Sequence, residues 1–410
     1  MVETHSPARR RRARTVVAGA LVGFLAWTPS AYADGAPPRG QGAAPFAQAW
    51  GDNDEGQLGN GTNTDSHVPV TVSNLTNITG LAAGYDHSLA LLGDGSVRAW
   101  GDNLNGELGD GTNTPSNVPV RVLNLANVRA IAAGDNHSLA LLGDGSVWTW
   151  GDNDNGQLGN GTTTPSNVPV RVQGLTGVRA IAGGDNHSLA VLRDGSVWAW
   201  GDNDNGQLGD GGTTDSNVPV RVQGLYGATA VAAPAGGDHS LALLRDGTVR
   251  AWGDNDNGQL GNGTTTDSNV PVQVLNLNRV KALAAGFNHS LALRNDGTVH
   301  AWGDNQFGQL GNATNTDSDV PVQVRNLTDV TAIATTEDHN LAIRSFCDCG
   351  KRGDGWGGTT TGNVVFTWGA NFAGELGNNS TTNSNVPVAA VTAIKNVTLI
   401  AGGGTHSLAA

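Results

Sequence analysis

Residues 184–225 read GDNHSLAVLRDGSVWAWGDNDNGQLGDGGTTDSNVPVRVQGL, and near-copies of this stretch fill the chain from Phe46 to Ala410. The repeating unit is about fifty residues long, a period typical of solenoids and propellers, in which one supersecondary unit packs against its neighbours. The fold of the whole chain therefore follows from the fold of one unit.

Four short runs within one unit have the composition of β-strands, and none has the length or apolar spacing of a helix. They are predicted as strands at residues 178–182, 187–192, 197–200 and 218–222. Asp-Gly between the second and third runs suits a two-residue hairpin, and proline confines the fourth run to a sheet edge. The first run consists mostly of alanine and glycine, which can crowd around an axis. This order predicts a propeller blade, from the inner strand to the outer strand.

Two residue types occur once in each copy of the unit and therefore give the number of copies. A Trp-Gly pair ends the third run of each copy, and a histidine begins the second run. The tryptophans are Trp50, Trp100, Trp150, Trp200, Trp252, Trp302 and Trp368, and the histidines are His87, His137, His187, His239, His289, His339 and His406. The repeats begin at Phe46 with a third strand and end near Ala409 after a second strand. We therefore predict an all-β, seven-bladed β-propeller of four-stranded blades, closed by pairing its N-terminal and C-terminal strands so that no edge stays free.

Three motifs recur in the same order along the chain. They are A-G-x-x-H-S-L-A-L at residues 133–141, D-G-x-V-x-x-W-G at 144–151 and N-x-x-G-Q-L-G at 153–159. These motifs resemble the repeats of the regulator of chromosome condensation family, over essentially the whole of residues 46–410. The resemblance implies a seven-bladed propeller, and the founding member of the family is a nuclear exchange factor for the GTPase Ran. This chain departs from that member because it has an export signal, lacks a basic tail and carries no insertion in the third blade.

The N-terminus is typical of an exported protein. Arg9 to Arg12 and Arg14 precede an apolar run from Val16 to Trp27, and Ala-Tyr-Ala ends at Ala33. We predict a signal peptide at residues 1–33, a flexible leader at 34–45 and the propeller at 46–410, in a secreted bacterial protein. The arginine cluster fits either the twin-arginine or the general secretory route.

Net charge limits the partners of the mature chain. Removal of residues 1–33 takes five of the 23 basic and one of the 36 acidic residues, which leaves 18 against 35, a net charge of −17. Such a surface repels phosphates, so we predict no nucleic-acid binding. No segment after the signal peptide is hydrophobic enough for a membrane span.

The repeated histidines are candidate bases or ligands, but each occupies the same place in its blade, whereas a catalytic constellation is built once from different residue types. We predict a structural role, with each ring bonding the backbone of the turn before its strand. Ser188 follows His187 along a strand, so the two side chains point to opposite faces and do not form a nucleophile and base within that strand. No catalytic residue and no cofactor is predicted.

The stretch at residues 202–206, Asp-Asn-Asp-Asn-Gly, resembles a calcium loop. Glycine is fifth instead of sixth, and Thr213 stands at the twelfth position where such loops carry an acidic residue. Asp, Asn and Gly are also what tight turns require. We predict turns and no metal.

One insertion breaks the repeat. In the sixth blade the tight hairpin is replaced by residues 345–362, and this insertion is predicted to be a mobile loop. Cys347 and Cys349 lie within it and form a candidate disulfide, with a half metal site and free thiols as alternatives. Three further residues of the insertion are a candidate interface, because they are basic or aromatic on an otherwise acidic protein: Lys351, Arg352 and Trp356.

These observations favour a non-catalytic, monomeric binding module for an unidentified protein partner. An inhibitor of a secreted or periplasmic enzyme is an alternative, since secreted propellers that inhibit β-lactamases resemble this chain; such a protein would bind through face aromatics, here Tyr85, Phe287, Phe307 and Phe372. Exchange activity on a GTPase is a third candidate function, and hydrolysis or elimination at an axial site is a fourth. A hydrolase or lyase needs unique residues converging on the axis, where the inner strands offer alanine and glycine.

Overall fold

The computed structural model describes residues 46–347, 361–390 and 397–410. Within these residues every regular element is a β-strand, and the strands form seven sheets of four. Neighbouring strands of each sheet are antiparallel. The all-β, seven-bladed propeller predicted from the repeat is therefore confirmed.

Blades are numbered in chain order, each from its inner to its outer strand. Blade 1 consists of β3 (Ile78–Ala83), β4 (His87–Leu92), β5 (Val97–Gly101) and β6 (Ser116–Arg121). Blade 2 consists of β7 (Val128–Ala133), β8 (His137–Leu142), β9 (Val147–Gly151) and β10 (Ser166–Arg171). Blade 3 consists of β11 (Val178–Gly183), β12 (His187–Leu192), β13 (Val197–Gly201) and β14 (Ser216–Arg221). Blade 4 consists of β15 (Ala228–Ala232), β16 (His239–Leu244), β17 (Val249–Gly253) and β18 (Ser268–Gln273).

The last three blades follow the same plan. Blade 5 consists of β19 (Val280–Ala285), β20 (His289–Arg294), β21 (Val299–Gly303) and β22 (Ser318–Gln323). Blade 6 consists of β23 (Val330–Thr335), β24 (His339–Cys347), β25 (Thr361–Gly369) and β26 (Ser384–Ala389). Blade 7 is shared between the ends of the chain and consists of β27 (Ile400–Gly402), β28 (His406–Ala409), β1 (Gln48–Gly51) and β2 (Ser66–Thr71).

Blade 7 closes the ring. β1 pairs with β28 in an unbroken antiparallel register that runs from Gln48 opposite Ala409 to Gly51 opposite His406. The turn next to this pairing is built as in the other blades, because the Asp52 amide donates to the Thr405 carbonyl at 3.0 Å and the Asp202 amide donates to the Asn186 carbonyl at 2.8 Å. The predicted pairing of the terminal strands is confirmed.

The hydrophobic core lies between blades. One buried cluster joins Leu139 and Val172 of blade 2 to Ile181 and Trp200 of blade 3, and Trp198 packs against it. Both faces of a sheet are covered in this way, which explains why the first three strands of each unit lack a polar face. Each repeat tryptophan is fully buried in such a cluster.

Glycine after each tryptophan is required by a close backbone approach. Gly201 has φ +106°, and a Cβ atom there would lie 2.3 Å from the Asn186 carbonyl oxygen. The third strand can therefore turn sharply into the long loop beside the turn that precedes the histidine.

Strand direction divides the disc into two faces. The loop face carries the turns before the second strands and the long loops after the third strands, which are residues 184–186 and 202–215 in blade 3. The hairpin face carries the Asp-Gly hairpins and the crossovers between blades, which are residues 193–196 and 222–227 in blade 3.

The sixth-blade hairpin is longer than its counterparts. β24 and β25 each have nine residues, and their ladder continues to Cys347 opposite Thr361. Residues 345–347 and 361–362 were predicted as part of the mobile insertion but are strands, because pairing continues wherever both chains stay extended. Residues 348–360 lie outside the described residues.

Candidate functional site

A backbone carbonyl holds neighbouring blades together at each interface. The Gln157 carbonyl of blade 2 accepts the Trp200 indole N–H at 2.9 Å and the Ser188 hydroxyl at 3.0 Å, both from blade 3. The carbonyl belongs to the glutamine of the third repeat motif, or to the glutamate that replaces it. The other tryptophans bond to equivalent carbonyls.

Each repeat histidine bonds to the next blade. His137 Nε2 lies 2.8 Å from Ser188 Oγ, and His187 Nε2 lies 3.0 Å from Ser240 Oγ. The expectation that each ring bonds the backbone of its own turn is therefore wrong, because the ring is directed across the interface. His and Ser are not paired within one strand, as expected, but they are paired between blades.

The proton positions in these pairs follow from the third partner. The Ser188 hydroxyl donates to a carbonyl, which can only accept, so its oxygen must accept the proton of His137 Nε2. Blade 6 supports this direction, since Asn340 replaces the serine there. Its amide NH₂ donates to the Gln309 carbonyl at 2.9 Å and its Oδ1 faces His289 Nε2 at 2.8 Å.

This arrangement does not activate the serines as nucleophiles. A general base accepts the hydroxyl proton, whereas these rings donate to the hydroxyl oxygen. Both side chains are inaccessible to solvent, and burial lowers the pKa of His137 to about 3, so the ring is neutral. The His and Ser pairs are structural bonds between blades.

The axis of the ring is blocked at the loop face. A Cβ atom built on Gly236 of blade 4 would lie 3.6 Å from the Phe287 ring and 3.7 Å from the Tyr85 ring. One built on Gly404 of blade 7 would also lie 3.0 Å from Tyr85. Since Tyr85 belongs to blade 1, its ring reaches across the axis towards blade 4. Aromatic side chains and the Pro234–Gly237 turn thus cover the mouth.

Below this cover the axial space is small. The inner strands enclose a cavity of about 20 Å³, lined by Ala83, Ala133, Ala182, Ala232, Ala233, Ala235, Ala285, Thr335, Thr336 and Gly402. That volume holds about one water molecule. Apart from Thr335 and Thr336, its lining consists of alanine and glycine.

Carboxyl groups crowd the loop face around the mouth. Burial, reinforced by the neighbouring Asp185, raises the pKa of Asp135 to about 8. Burial likewise raises the pKa of Asp86, Asp238 and Asp338 to about 7, with nearby carboxylates adding to the effect. Burial raises the pKa of Tyr85 to about 12, and Glu337 contributes. The charged forms of these groups are therefore disfavoured in the folded state.

We expect the melting temperature to rise as the pH is lowered from about 8 to about 6.5. The buried carboxyls, with pKa values of about 7 to 8, take up protons in the folded state in this range, whereas unfolded carboxyls do not. At lower pH the unfolded histidines become protonated, while the buried rings, with pKa values of about 3 or about 4, resist protonation. Stability should then fall towards pH 3. Thermal melts between pH 8 and pH 3 measure both the rise and the fall of the melting temperature.

Asp135→Asn should reduce the rise in melting temperature between about pH 8 and about pH 6.5, because it removes the carboxyl whose pKa is raised to about 8. The matched control is Asp154→Asn, which removes an exposed carboxyl on the same face. A parent protein that melts at lower temperature at pH 6.5 than at pH 8 would contradict the assignment.

Three acidic triads lie in the long loops of blades 7, 3 and 4. Their carboxylate oxygens are within 4.8 Å of one another, in the sets Asp52, Asp54 and Asp65; Asp202, Asp204 and Asp215; and Asp254, Asp256 and Asp267. The loop itself uses these oxygens. Asp215 accepts the Asn203 amide at 2.9 Å, and Asp202 accepts the Gln207 side-chain amide at 2.6 Å.

Calcium should therefore leave stability unchanged. An ion bound by the folded state would raise the melting temperature with its concentration. We expect identical melting curves with millimolar calcium and with chelator. A higher melting temperature in calcium that disappears in Asp202→Asn would instead establish the triads as metal sites.

Positive and negative side chains are segregated between the two faces. All lysine and arginine residues in the described part of the chain lie on strands, hairpins and crossovers of the hairpin half: Arg98, Arg121, Arg129, Arg171, Arg179, Arg193, Arg221, Arg245, Arg250, Arg279, Lys281, Arg294, Arg325 and Arg344. The described carboxylates of that half are Asp94, Asp144, Asp194, Asp246, Asp296 and Asp329; every other described Asp and Glu lies on the loop half. The protein thus has an acidic face and an arginine-rich face.

The predicted face aromatics fall into two places. Tyr85 and Phe287 cover the axial mouth, whereas Phe307 lies farther out in the long loop of blade 5. Phe307 meets Phe372 of blade 6 edge to face, with ring centroids 5.3 Å apart, and Phe372 is 65% exposed. Four remaining candidates lie outside the described residues: Cys349, Lys351, Arg352 and Trp356. For Cys347 the structure describes the backbone alone. Their interface and disulfide stay predictions.

The blades, their interblade bonds and the covered axis define a seven-bladed propeller. Residues 47–279 match the model of the RCC1-like domain, and residues 280–309, 296–343 and 363–410 match the regulator of chromosome condensation (RCC1) repeat. The first match spans more than half of the chain, which therefore belongs to the RCC1-like propeller family. No curated protein matches the chain.

Solved structures share the fold. Prp20p from Saccharomyces cerevisiae is 23% identical, with a TM-score of 0.76 over 90% of this chain and 91% of that chain. Human WBSCR16 is 24% identical, with a TM-score of 0.76 over 89% and 99%. Yeast RCC1 (Prp20) in complex with Kap60 is 20% identical, with a TM-score of 0.76 over 100% and 96%. Among the described residues, no helix is long and apolar enough to cross a membrane.

Proposed function

We propose that this chain is a non-catalytic module that binds another protein through a face of the propeller. The observation that carries the proposal is the closed axis, with its cavity of about 20 Å³ beneath Tyr85. The repeated His and Ser side chains of the described residues bond one blade to the next, which is a structural role. The exposed loops are what differs between blades, and such loops carry specificity.

Relatives of the fold support a protein partner. Prp20p was studied for its binding to Gsp1p and histones, and yeast RCC1 (Prp20) is bound by Kap60 in a solved structure. Exchange activity on a GTPase is a less suitable function for this chain, which lacks a third-blade insertion and carries features of an export signal.

The proposed place of action is outside the cytoplasm, with the chain acting as a monomer. Arg9 to Arg12, the following apolar run and Ala33 support export. Expression of the full chain in a bacterial host, followed by mass spectrometry of the secreted protein, tests this proposal. A mature N-terminus at Asp34 supports it, and retention of the intact chain in the cytoplasm contradicts it.

Affinity capture from secreted and cell-wall fractions tests the binding function. Three baits are compared: the parent, a variant with residues 348–360 replaced by a short turn, and Phe372→Ser on the loop face. We expect one protein to be retained by the parent and lost from one variant, which identifies the face. Equal retention by all three baits would contradict binding through either candidate surface.

A second candidate is inhibition of a secreted or periplasmic enzyme, favoured by the exposed edge-to-face pair of Phe307 and Phe372. Inhibitors of this kind bury aromatic anchors in the target. β-Lactamase activity measured with the parent and with Phe372→Ser tests this function. Inhibition by the parent that Phe372→Ser abolishes supports it, and uninhibited hydrolysis contradicts it for that enzyme class.

A further inference from the structure

Three long loops depart from the acidic pattern of the loop face, and two of them are neighbours that carry aromatic rings in contact. At the same place in these loops, blades 7, 2, 3 and 4 carry an aspartate, as Asp54 and Asp154 do, whereas blade 1 has Leu104, blade 6 has Phe372, and in blade 5 Phe307 follows one residue later. The two rings contact each other at 5.3 Å and form an apolar island in the loop face. Nothing in the fold requires this pair, since the other blades close without it.

The outer strand of blade 5 departs from the pattern as well. At four other interfaces an asparagine at the start of the outer strand bonds the preceding blade, as Asn385 Nδ2 does to Asn315 Oδ1 at 2.8 Å and Asn167 Nδ2 does to Asn113 Oδ1 at 2.9 Å. Blade 5 has Asp319 at this position, and a carboxylate cannot donate that bond.

A groove of about 360 Å³ lies at this place, lined by Asp256, Asn257, Thr265, Asp317, Ser318 and Asp319. It contains three carboxylates and no basic residue. The groove and the apolar island share the long loop of blade 5, in which Asp317 Oδ1 accepts the amide of Asn305 at 2.9 Å, two residues before Phe307. We call the aromatic pair and this groove the blade-5 patch.

Among the described residues, every lysine and arginine lies on the hairpin half, so none of them supplies an ammonium or guanidinium group to the groove. An exposed aromatic pair beside a cluster of carboxylates is complementary to an apolar side chain flanked by cations.

We propose that the blade-5 patch docks a protein segment in which an apolar side chain lies next to lysine or arginine. The apolar side chain covers the Phe307 and Phe372 rings, and the cation enters the groove between Asp256 and Asp319. This inference rests on the proposed binding function and specifies the chemistry of the partner.

Three fluorescein-labelled synthetic peptides test the inference by fluorescence anisotropy. One alternates lysine with leucine and phenylalanine, the second has glutamate in place of lysine, and the third has serine in place of the apolar residues. We expect only the first to bind tightly, with affinity falling as salt rises from about 50 mM to about 500 mM. Equal affinity for all three peptides would overturn the proposal.

Substitutions locate the binding surface. Phe372→Ser should raise the dissociation constant about tenfold, because it removes an exposed anchor. Asp319→Asn restores the residue found in most other blades. This substitution should raise the dissociation constant about threefold and make binding less dependent on salt. Both positions are at least partly exposed, so both variants should fold, which thermal melts establish.

Two controls match these substitutions. Tyr226→Ser removes an aromatic side chain that is 69% exposed on the hairpin face, and Asp154→Asn removes an exposed carboxylate of the loop face in blade 2. Both should bind like the parent. If Asp154→Asn weakens binding as much as Asp319→Asn, the attraction is non-specific and the proposal fails.

This failure can be distinguished from failure of the binding function. If a captured partner depends on residues 348–360 and the cationic peptide does not bind, the chain is a protein-binding module but the blade-5 patch is not its docking site.

Discussion

Deletion of residues 46–51 is expected to unfold the ring or to lower its melting temperature more than any single substitution. The deletion removes β1, which pairs with β28 over four residues and with β2 on its other side. It also removes Trp50, a fully buried side chain whose indole N–H bonds the Glu375 carbonyl at 2.7 Å. Blade 7 would lose its third strand, and β28 would expose an unpaired edge that promotes aggregation. Thermal melts and size-exclusion chromatography measure these effects.

A circular permutant is the matched control for this deletion. It joins Ala410 to Phe46 through a short Asp-Gly turn and opens the chain at the Asp94-Gly95 hairpin of blade 1. The join recreates the hairpin of the other blades, since Gln48 already lies opposite Ala409. We expect the permutant to melt within a few degrees of the parent, because closure is then moved to β4 and β5. A deletion variant as stable as the parent would show that the ends are not paired in solution.

Trp200→Ala is expected to cost about 3–5 kcal/mol of unfolding free energy. The side chain is fully buried between blades 2 and 3 and its N–H bonds the Gln157 carbonyl at 2.9 Å. A Cβ atom at Gly159 would lie 2.7 Å from the same nitrogen, so the ring fills its site closely. Truncation leaves a cavity that the paired strands cannot collapse to fill. Chemical denaturation with urea measures the loss.

Trp198→Ala is the control, because it changes the same residue type in the same strand. Trp198 is half-buried against the same cluster, and its indole N–H has no hydrogen-bond partner among the described residues. We expect less than half of the loss caused by Trp200→Ala. Equal losses would contradict the larger contribution assigned to the full burial of Trp200 and to its bond with the interblade carbonyl.

The repeat predicted most of the fold because each unit contains the information for one blade. Alternating strand runs, Asp-Gly and a proline at the edge identified all four strands, and the offset of the chain ends predicted closure. The partner of each histidine was not predictable in the same way. His137 and Ser188 are 51 residues apart, and the bond depends on how adjacent sheets are rotated against each other.

The covered axial mouth is indicated only weakly by the sequence. The interval from Trp200 to Trp252 is two residues longer than the preceding intervals, and the additional residues belong to the turn at Pro234–Gly237 that meets Phe287. The spacing alone cannot show that Tyr85 reaches this turn from blade 1, because that contact crosses the ring.

Net charge gave an incomplete description of the surface. The chain is acidic overall, yet the strand directions place Arg193, Arg245 and Arg294 together on the hairpin face. The argument against nucleic-acid binding applies to the loop face, and for the hairpin face it stays a prediction.

Closure by β1 and β28 determines the order in which the ring can form. Gln48 and Ala409 are the most distant partners in the sequence, so β1 must wait for nearly the whole chain to be synthesised before it gains its neighbour. Loop closure over that length costs only slightly more than over one blade, but contacts of high sequence separation form slowly. Until then β1 is an edge that any second strand of another nascent molecule could pair with. Folding yield should therefore depend on concentration more steeply than the stability of the finished ring does.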